Sequence, residues 1–168
     1  NISIMNNLAN SEKNLFNYNV AEQLFCKIIE KNKDYLNVYV NFGNLKRDLN
    51  QFFESNELYE KALQINPSHP IVLYSLAMNY QSLGNFKLSM EYATRATTID
   101  PKFTRADLLI SKSKKYEAND NHLAEMHIKL NDLKLDDTQK YYLYFALAKA
   151  YEDINDIENC HKNLNIGN

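Results

Sequence analysis

Residues 62–67 read ALQINP and residues 96–101 read ATTIDP, so that the same pattern ends at Pro67 and again at Pro101. Each segment begins with alanine, has isoleucine at its fourth position and ends in proline. A proline cannot continue the helix that precedes it, and a small residue lets two helices cross closely. The recurrence therefore predicts a helical unit that is repeated at the interval between the two prolines.

Small residues and turn residues recur at the same interval upstream of the prolines. The spacing from Gly43 to Ala77, and from Ala77 to Ser111, equals that between the prolines, and the first helix of each unit is expected to meet its partner helix there. Gly84 follows a first helix, and Asn50 has the equivalent place one unit earlier. Both residue types tolerate the left-handed conformation that ends a helix. The pattern indicates pairs of helices joined by tight turns.

On these residues the chain resembles a tetratricopeptide repeat protein, a class whose repeats are about 34 residues long. The resemblance is closest from Pro70 to Phe103 and next closest from Leu36 to His69. It implies an all-α fold class, a right-handed superhelical solenoid of about five helix-turn-helix repeats, whose first helices line a concave groove. We expect a single domain over residues 1–168, with repeats at about 2–35, 36–69, 70–103, 104–140 and 141–168.

Composition and charge argue against several classes of partner. The net charge is −2, whereas a nucleic-acid surface would have to be basic. No apolar run approaches the roughly 18 residues of a membrane span, and no signal peptide is visible, so we expect a cytoplasmic protein without membrane contact. Because the chain begins with Asn1 and stops at Asn168 after a helical pattern, we expect a fragment of a longer protein.

The residues that could carry chemistry form no recognisable catalytic or metal-binding set. The sequence has no phosphate-binding glycine loop, dinucleotide fingerprint or serine-nucleophile motif. His122 and His127 are five residues apart, which does not suit two metal ligands on one helix, so we interpret both as solvated. Cys26 and Cys160 are interpreted as buried, and Asp136 as a helix cap. We predict no enzyme activity, no metal and no cofactor.

Polar side chains on the expected first helices predict a peptide-binding groove. Asparagine both donates and accepts hydrogen bonds, so a row of asparagines can bind an extended peptide backbone, although asparagine is common throughout this chain. Tyrosine and methionine can form an apolar pocket, and arginine and lysine can bind carboxylates. We expect Asn41 and Asn44 to affect binding with little effect on stability. The candidate groove residues are Asn6, Asn10, Asn37, Asn41, Asn44, Arg47, Tyr74, Met78, Arg105, Lys112 and Lys149.

A protein or peptide partner can therefore be expected, but not one particular partner. Some tetratricopeptide domains resemble one another in a carboxylate clamp for an acidic chaperone tail. That clamp would need basic residues where Asn6, Ile71 and Ser75 stand, so chaperone-tail binding is not expected.

Two further hypotheses concern the C-terminal unit. Residues 145–153 resemble the final repeat of bacterial proteins in which a tetratricopeptide region precedes a sulfotransferase-like domain. That resemblance implies an accessory region of an enzyme whose catalytic domain lies outside this chain. Alternatively, the last helix, which exposes Ile157 and Leu164 without a polar capping helix, mediates self-association.

Overall fold

The predicted all-α class is confirmed by a computed structural model that describes residues 1–167, a range with ten α-helices and no β-strand. No helix in that range has the length and apolar character needed to cross a membrane. Residues Asn1–Val72 form one compact unit, and the described residues from Leu73 onward form a second. Asn168, the end of the predicted fifth repeat, lies outside the described residues. The helices are α1 (Ile2–Asn14), α2 (Tyr18–Lys31), α3 (Leu36–Asp48), α4 (Phe52–Ile65), α5 (Pro70–Ser82), α6 (Phe86–Ile99), α7 (Arg105–Ser113), α8 (Asn121–Asp132), α9 (Asp137–Asp153) and α10 (Ile157–Gly167).

A residue with positive φ follows the first helix of three successive helix pairs. The φ angles are 64° at Phe16, 58° at Asn50 and 74° at Gly84, and these positions recur at the interval that separates Pro67 from Pro101. The turns predicted at Asn50 and Gly84 are thus confirmed. Phe16 has no such sequence signal, because bulky side chains are disfavoured at positive φ. Asn155, with φ of 58°, repeats the arrangement after α9.

In the first unit, α1 packs against α2 and α3, while α3 also packs against α2 and α4. The rings of Phe25 and Phe42 stack between helices with centroids 5.4 Å apart. The close crossing predicted at Gly43 is confirmed, since a Cβ added there would lie 2.6 Å from Cε1 of Tyr59 on α4. Tyr59 is fully buried. The absence of a side chain at Gly43 therefore makes room for an aromatic ring.

In the second unit, α7 packs against α6 and α9, and α9 also packs against α8 and α10. α7 has only nine residues. The seven residues that follow it, 114–120, form a loop in place of the tight turns at Asn50 and Gly84. The fourth unit therefore departs from the regular turn geometry of the units before it. The buried cluster consists of Tyr116, Leu123, Met126, Leu135, Leu143, Ala146, Leu147 and Ala150.

The start of α9 confirms the predicted capping role of Asp136. Its Oδ1 accepts a 2.7 Å hydrogen bond from the backbone amide of Gln139. The side chain of Gln139 in turn accepts a 2.9 Å hydrogen bond from the backbone amide of Asp136, which completes a capping box. These reciprocal contacts fix where α9 begins and hence which of its side chains face α7.

The interpretation of both cysteines as buried is wrong. Cys26 is exposed on α2, and Cys160 on α10 is partly exposed. Phe25 is fully buried, and the next residue of a helix is rotated by about 100° from it. Cys26 is therefore turned away from the core. Both thiols are accessible to reagents.

Candidate functional site

Five predicted groove residues of the first unit are asparagines on α1 and α3. Asn6 and Asn10 belong to α1, and Asn37, Asn41 and Asn44 belong to α3. Nδ2 of Asn41 donates a 3.0 Å hydrogen bond to Oδ1 of Asn6. Asn6 is only 5% exposed, so this amide pair joins the two helices. We refer to the five side chains as the amide surface, of which Asn37 is the most exposed member.

Asn44 makes a contact that stabilises the fold. Its Oδ1 accepts a 2.7 Å hydrogen bond from the hydroxyl of Tyr59, the same ring that lies against Gly43. This partly buried bond joins α3 to α4, so the expectation that Asn44 leaves stability unchanged conflicts with the structure. Arg47, the other candidate of this unit, is partly buried in the last turn of α3.

In the second unit, Arg105 is held by three aromatic rings. Its Cζ lies 5.9 Å from the ring centroid of Tyr74, 5.6 Å from that of Phe103 and 5.5 Å from that of Tyr142. No salt bridge among residues 1–167 includes Arg105, and the residue is exposed. The rings favour the guanidinium cation at this position, and the exposed side chain can still bind an anion. Met78 lies one turn after Tyr74 on α5 and is partly buried.

The predicted residues Lys112 and Lys149 line one pocket of about 320 Å³, here called the α7–α9 pocket. Tyr141 and Phe145 form an aromatic wall, with ring centroids 4.7 Å apart. Apolar side chains from α7, α9 and α10 form much of the remaining lining of the pocket. The complete lining is Leu108, Lys112, Tyr141, Phe145, Ala148, Lys149, Glu152, Cys160 and Leu164.

The two lysines of the pocket differ in their electrostatic surroundings. Nζ of Lys149 pairs closely with Asp153 and lies 3.8 Å from a carboxylate oxygen of Glu152. Lys112 is exposed and takes part in no salt bridge within the part of the chain that the structure describes. The positive charge of Lys149 is therefore largely neutralised, whereas that of Lys112 is available to a ligand.

The sequence predicted the two lysines of the pocket but not several of the residues that form its walls. Tyr141, Phe145 and Lys149 follow one another at intervals of four residues, which places them on one face of α9. That spacing is a signal from which Tyr141 could have been included. Cys160 and Leu164 come from α10, a second helix of its pair, and a search restricted to first helices excludes them.

His122 belongs to a partly buried polar network, so its interpretation as solvated is wrong. Its Nε2 lies 3.0 Å from Oδ1 of Asp107, and its Nδ1 lies 2.6 Å from the hydroxyl of Tyr116. Lys129 donates a 2.6 Å hydrogen bond to the same Asp107 oxygen. Asp107 is fully buried, and a buried carboxylate requires such partners. His127 is also bonded, with its Nε2 2.8 Å from the hydroxyl of Tyr151.

The network resembles a proton relay in composition, but its geometry suits a structural role. Both ring nitrogens of His122 are engaged within the protein, and Tyr116 is only 2% exposed. Burial, aided by nearby carboxylates, raises the pKa of Tyr116 and keeps its hydroxyl neutral. The backbone amide of Tyr116 donates a 3.2 Å hydrogen bond to Oδ2 of Asp153. The network therefore extends from Asp107 to the carboxylate that pairs with Lys149.

A second pocket of about 710 Å³ lies beside His122, between α6 and the loop that precedes α8. Lys114 and Asp120 form an ion pair in its wall. Burial raises the pKa of Asp120, but hydrogen bonds from Lys114 and the His122 amide outweigh it and lower the pKa overall. Its lining also includes Glu91, Arg95 and Glu125. This mixture of charges does not favour one sign of ligand.

The family of the chain follows from its repeats. Tetratricopeptide repeat models match residues 36–69 and 71–103, and a further tetratricopeptide repeat model matches residues 2–33. Together the matches span more than half of the chain, which therefore belongs to the tetratricopeptide repeat family. The resemblance of the last unit to regions that precede sulfotransferase-like domains stays a prediction.

Solved structures show the same fold. The chain is similar to YrrB, described as a TPR protein with an unusual peptide-binding site, with a TM-score of 0.69, 19% identity and coverage of 97% of this chain and 82% of YrrB. It is also similar to the MamA protein, with a TM-score of 0.74, 12% identity and coverage of 99% and 89%. At these identities the likeness shows the fold alone. The predicted tetratricopeptide solenoid class is confirmed.

One curated relative is similar over a shorter stretch. A heat-shock protein cognate co-chaperone of Aspergillus fumigatus, sgt12, is 34% identical over 64 residues. The alignment covers 38% of this chain and 19% of the co-chaperone. The chain thus matches only a small part of that relative's length.

Proposed function

We propose that the chain is a protein-interaction scaffold that binds an extended peptide segment of a partner protein. The observation that carries this proposal is the α7–α9 pocket, in which an apolar floor and an aromatic wall lie beside an unpaired lysine. Tight protein interfaces depend on a few anchor side chains that insert into such pockets. The first-helix surface of the second unit combines such a pocket with exposed cations.

Arg105 supports the same proposal from the preceding part of α7. Arg105 and Lys112 are seven residues apart on one helix, which is two turns and places them on the same side. Both are exposed, and neither has an ion-pair partner within residues 1–167. Leu108 of the pocket lies between them. This face of α7 therefore offers cation, apolar surface and cation in succession, which suits a peptide better than a small metabolite.

The amide surface is proposed as a second contact area of the scaffold. Asn10 and Asn37 keep accessible amides that can bond to the backbone of an extended peptide. Asn6, Asn41 and Asn44 are engaged in hydrogen bonds within the protein, so their role is to position the surface. The peptide-binding site named for YrrB and the co-chaperone similarity of sgt12 agree with a partner that is a protein.

The proposal is tested by selecting peptides from a displayed random decapeptide library on the purified chain. Binding of the recovered peptides is then measured by fluorescence anisotropy with the unmodified chain and two charge-reversed variants. Lys112→Glu should weaken binding by about tenfold, because an attractive charge becomes repulsive at the pocket rim. Lys102→Glu, which changes an exposed lysine outside the pocket, should have little effect.

Two outcomes decide against the proposal. In the first, no peptide from the library binds saturably. In the second, Lys102→Glu weakens binding as much as Lys112→Glu, which would mean that peptides respond only to net charge.

A further inference from the structure

We infer that the α7–α9 pocket selects a large apolar side chain with an acidic residue directly beside it. This inference rests on the proposed function and names the peptide chemistry that the pocket recognises. It follows from the size of the pocket, from the composition of its walls, and from the fact that only one of its two lysines is paired with carboxylates.

The size and walls of the pocket specify the apolar component. Its volume of about 320 Å³ is near the lower end of the range for ligand sites, which suits one bulky side chain and not a long segment. Tyr141 and Phe145 offer ring edges and faces to an incoming aromatic residue. Leu108, Ala148 and Leu164 provide apolar contacts. A phenylalanine or leucine side chain would exclude water from these surfaces.

The charges of the pocket specify the acidic neighbour. The charged residues of the lining are Lys112, Lys149 and Glu152. Lys149 is already neutralised by Glu152 and Asp153. Asp153 is itself held by the backbone amide of Tyr116, so it is not free to turn away and release Lys149. Lys112 alone remains to pair with a ligand, and its single charge matches one carboxylate.

A basic residue beside the apolar side chain of the peptide would be repelled. It would approach Lys112, while Glu152 of the lining and the adjacent Asp153 are already engaged with Lys149. Like charges at an interface oppose binding. The pocket therefore discriminates between acidic and basic peptides even though the net charge of the whole chain is −2.

The two cysteines of the chain make the occupancy of this pocket directly measurable. Cys160 is a lining residue with a partly exposed thiol. Cys26 is exposed on α2 and lies in the other compact unit. A peptide seated in the pocket should slow alkylation of Cys160 by iodoacetamide and leave the rate at Cys26 unchanged. Cys26 is thus an internal reference for reagent activity.

The probes are blocked hexapeptides in which two glycines on each side flank two central residues. The central pairs are aspartate–phenylalanine, asparagine–phenylalanine, lysine–phenylalanine and aspartate–alanine. Alkylation at each cysteine is followed by mass spectrometry across a titration of each peptide. The aspartate–phenylalanine peptide should protect Cys160 at roughly fivefold lower concentration than the asparagine form, which corresponds to one partly exposed ion pair. The other two peptides should protect more weakly still.

Lys112→Met keeps the aliphatic stem and removes the charge, so it should abolish the difference between the aspartate and asparagine peptides. Equal protection by the aspartate and lysine peptides would overturn the inference while leaving peptide binding intact. Failure of all four peptides to protect Cys160 would also overturn it, provided that the decapeptide selection yields binders. If that selection yields none, the proposed function itself fails.

Discussion

A Cβ atom added to Gly43 would lie 2.6 Å from Cε1 of Tyr59, which is closer than real Cβ atoms approach their neighbours. We predict that Gly43→Ala lowers the free energy of unfolding by roughly 1–3 kcal/mol, because the buried tyrosine ring cannot shift without disturbing the crossing of α3 and α4. Urea denaturation followed by circular dichroism measures this. In a Tyr59→Ala background the added methyl should cost much less, and an equal cost in both backgrounds would show that the ring is not the obstacle.

The hydrogen bond from Tyr59 to Asn44 leads to a second prediction. Asn44→Ala should lower the free energy of unfolding by about 1 kcal/mol, since a largely buried hydroxyl loses an acceptor. Asn44→Asp keeps an acceptor oxygen and should retain most of the stability. Thermal and urea melts of both variants provide the measurement. If Asn44→Asp loses as much stability as Asn44→Ala, the hydrogen bond accepted from Tyr59 is not the source of the loss.

A third prediction concerns the positive φ angle of Phe16. Phe16→Gly should raise the free energy of unfolding by roughly 1 kcal/mol, because glycine adopts this conformation without strain and the phenylalanine ring is 76% exposed. Leu15→Gly is the matched control, since Leu15 has a φ of −85° and is 66% exposed. There glycine should lower the free energy of unfolding by roughly 0.5–1 kcal/mol. The prediction is contradicted when the two glycine variants change stability in the same direction.

Tyr116 should lower the stability of the second unit at alkaline pH. Burial raises its pKa above the ordinary value of 10.0, so the folded state keeps the proton longer than the unfolded state does. The resulting stability is complete below about pH 10 and is lost as the pH rises towards the folded pKa. Urea denaturation at pH 8 and pH 11 should show a smaller loss for Tyr116→Phe than for the unmodified chain. Equal losses would mean that other groups control the alkaline transition.

Asp107 occupies a position that is apolar one repeat earlier, where Leu73 is fully buried. We predict that Lys129→Met lowers the free energy of unfolding by roughly 3 kcal/mol, because the buried carboxylate then loses its closest partner. The double variant Asp107→Leu with Lys129→Met removes both charges and restores the apolar residue. It should be more stable than the single variant in urea denaturation. A double variant that is less stable than the single variant would contradict this and show that Asp107 stabilises the fold even without Lys129.

The regular part of the fold could be predicted from the sequence because short-range rules determine it. Pro67, Pro101, Gly43, Asn50 and Gly84 each have a local conformational or steric reason for their position. The turn at Phe16 could not be predicted in this way, since the backbone there follows the geometry of the repeat and not the preference of the residue.

The candidate site was only partly predictable, since its chemistry depends on contacts distant in sequence. The sequence identified Arg105, Lys112 and Lys149 as cations on first helices, but it could not distinguish them. Arg105 is held by rings that include Tyr74, which belongs to α5, the first helix of the preceding pair. Lys149 is neutralised by Asp153 at a spacing of four residues, which helix geometry could have suggested. That Lys112 remains unpaired follows only from the assembled unit.

The carboxylate of Asp153 serves two neighbours, Lys149 on its own helix and the backbone amide of Tyr116 in the loop after α7. In a repeat array each unit contacts only its neighbours, so the stability of a unit depends on the interface that each neighbour offers. Here an exchange that separated residues 105–132 from residues 137–167 would leave the loop without its acceptor and would alter the charge around Lys149. The last two helix pairs are therefore expected to be inherited as one module.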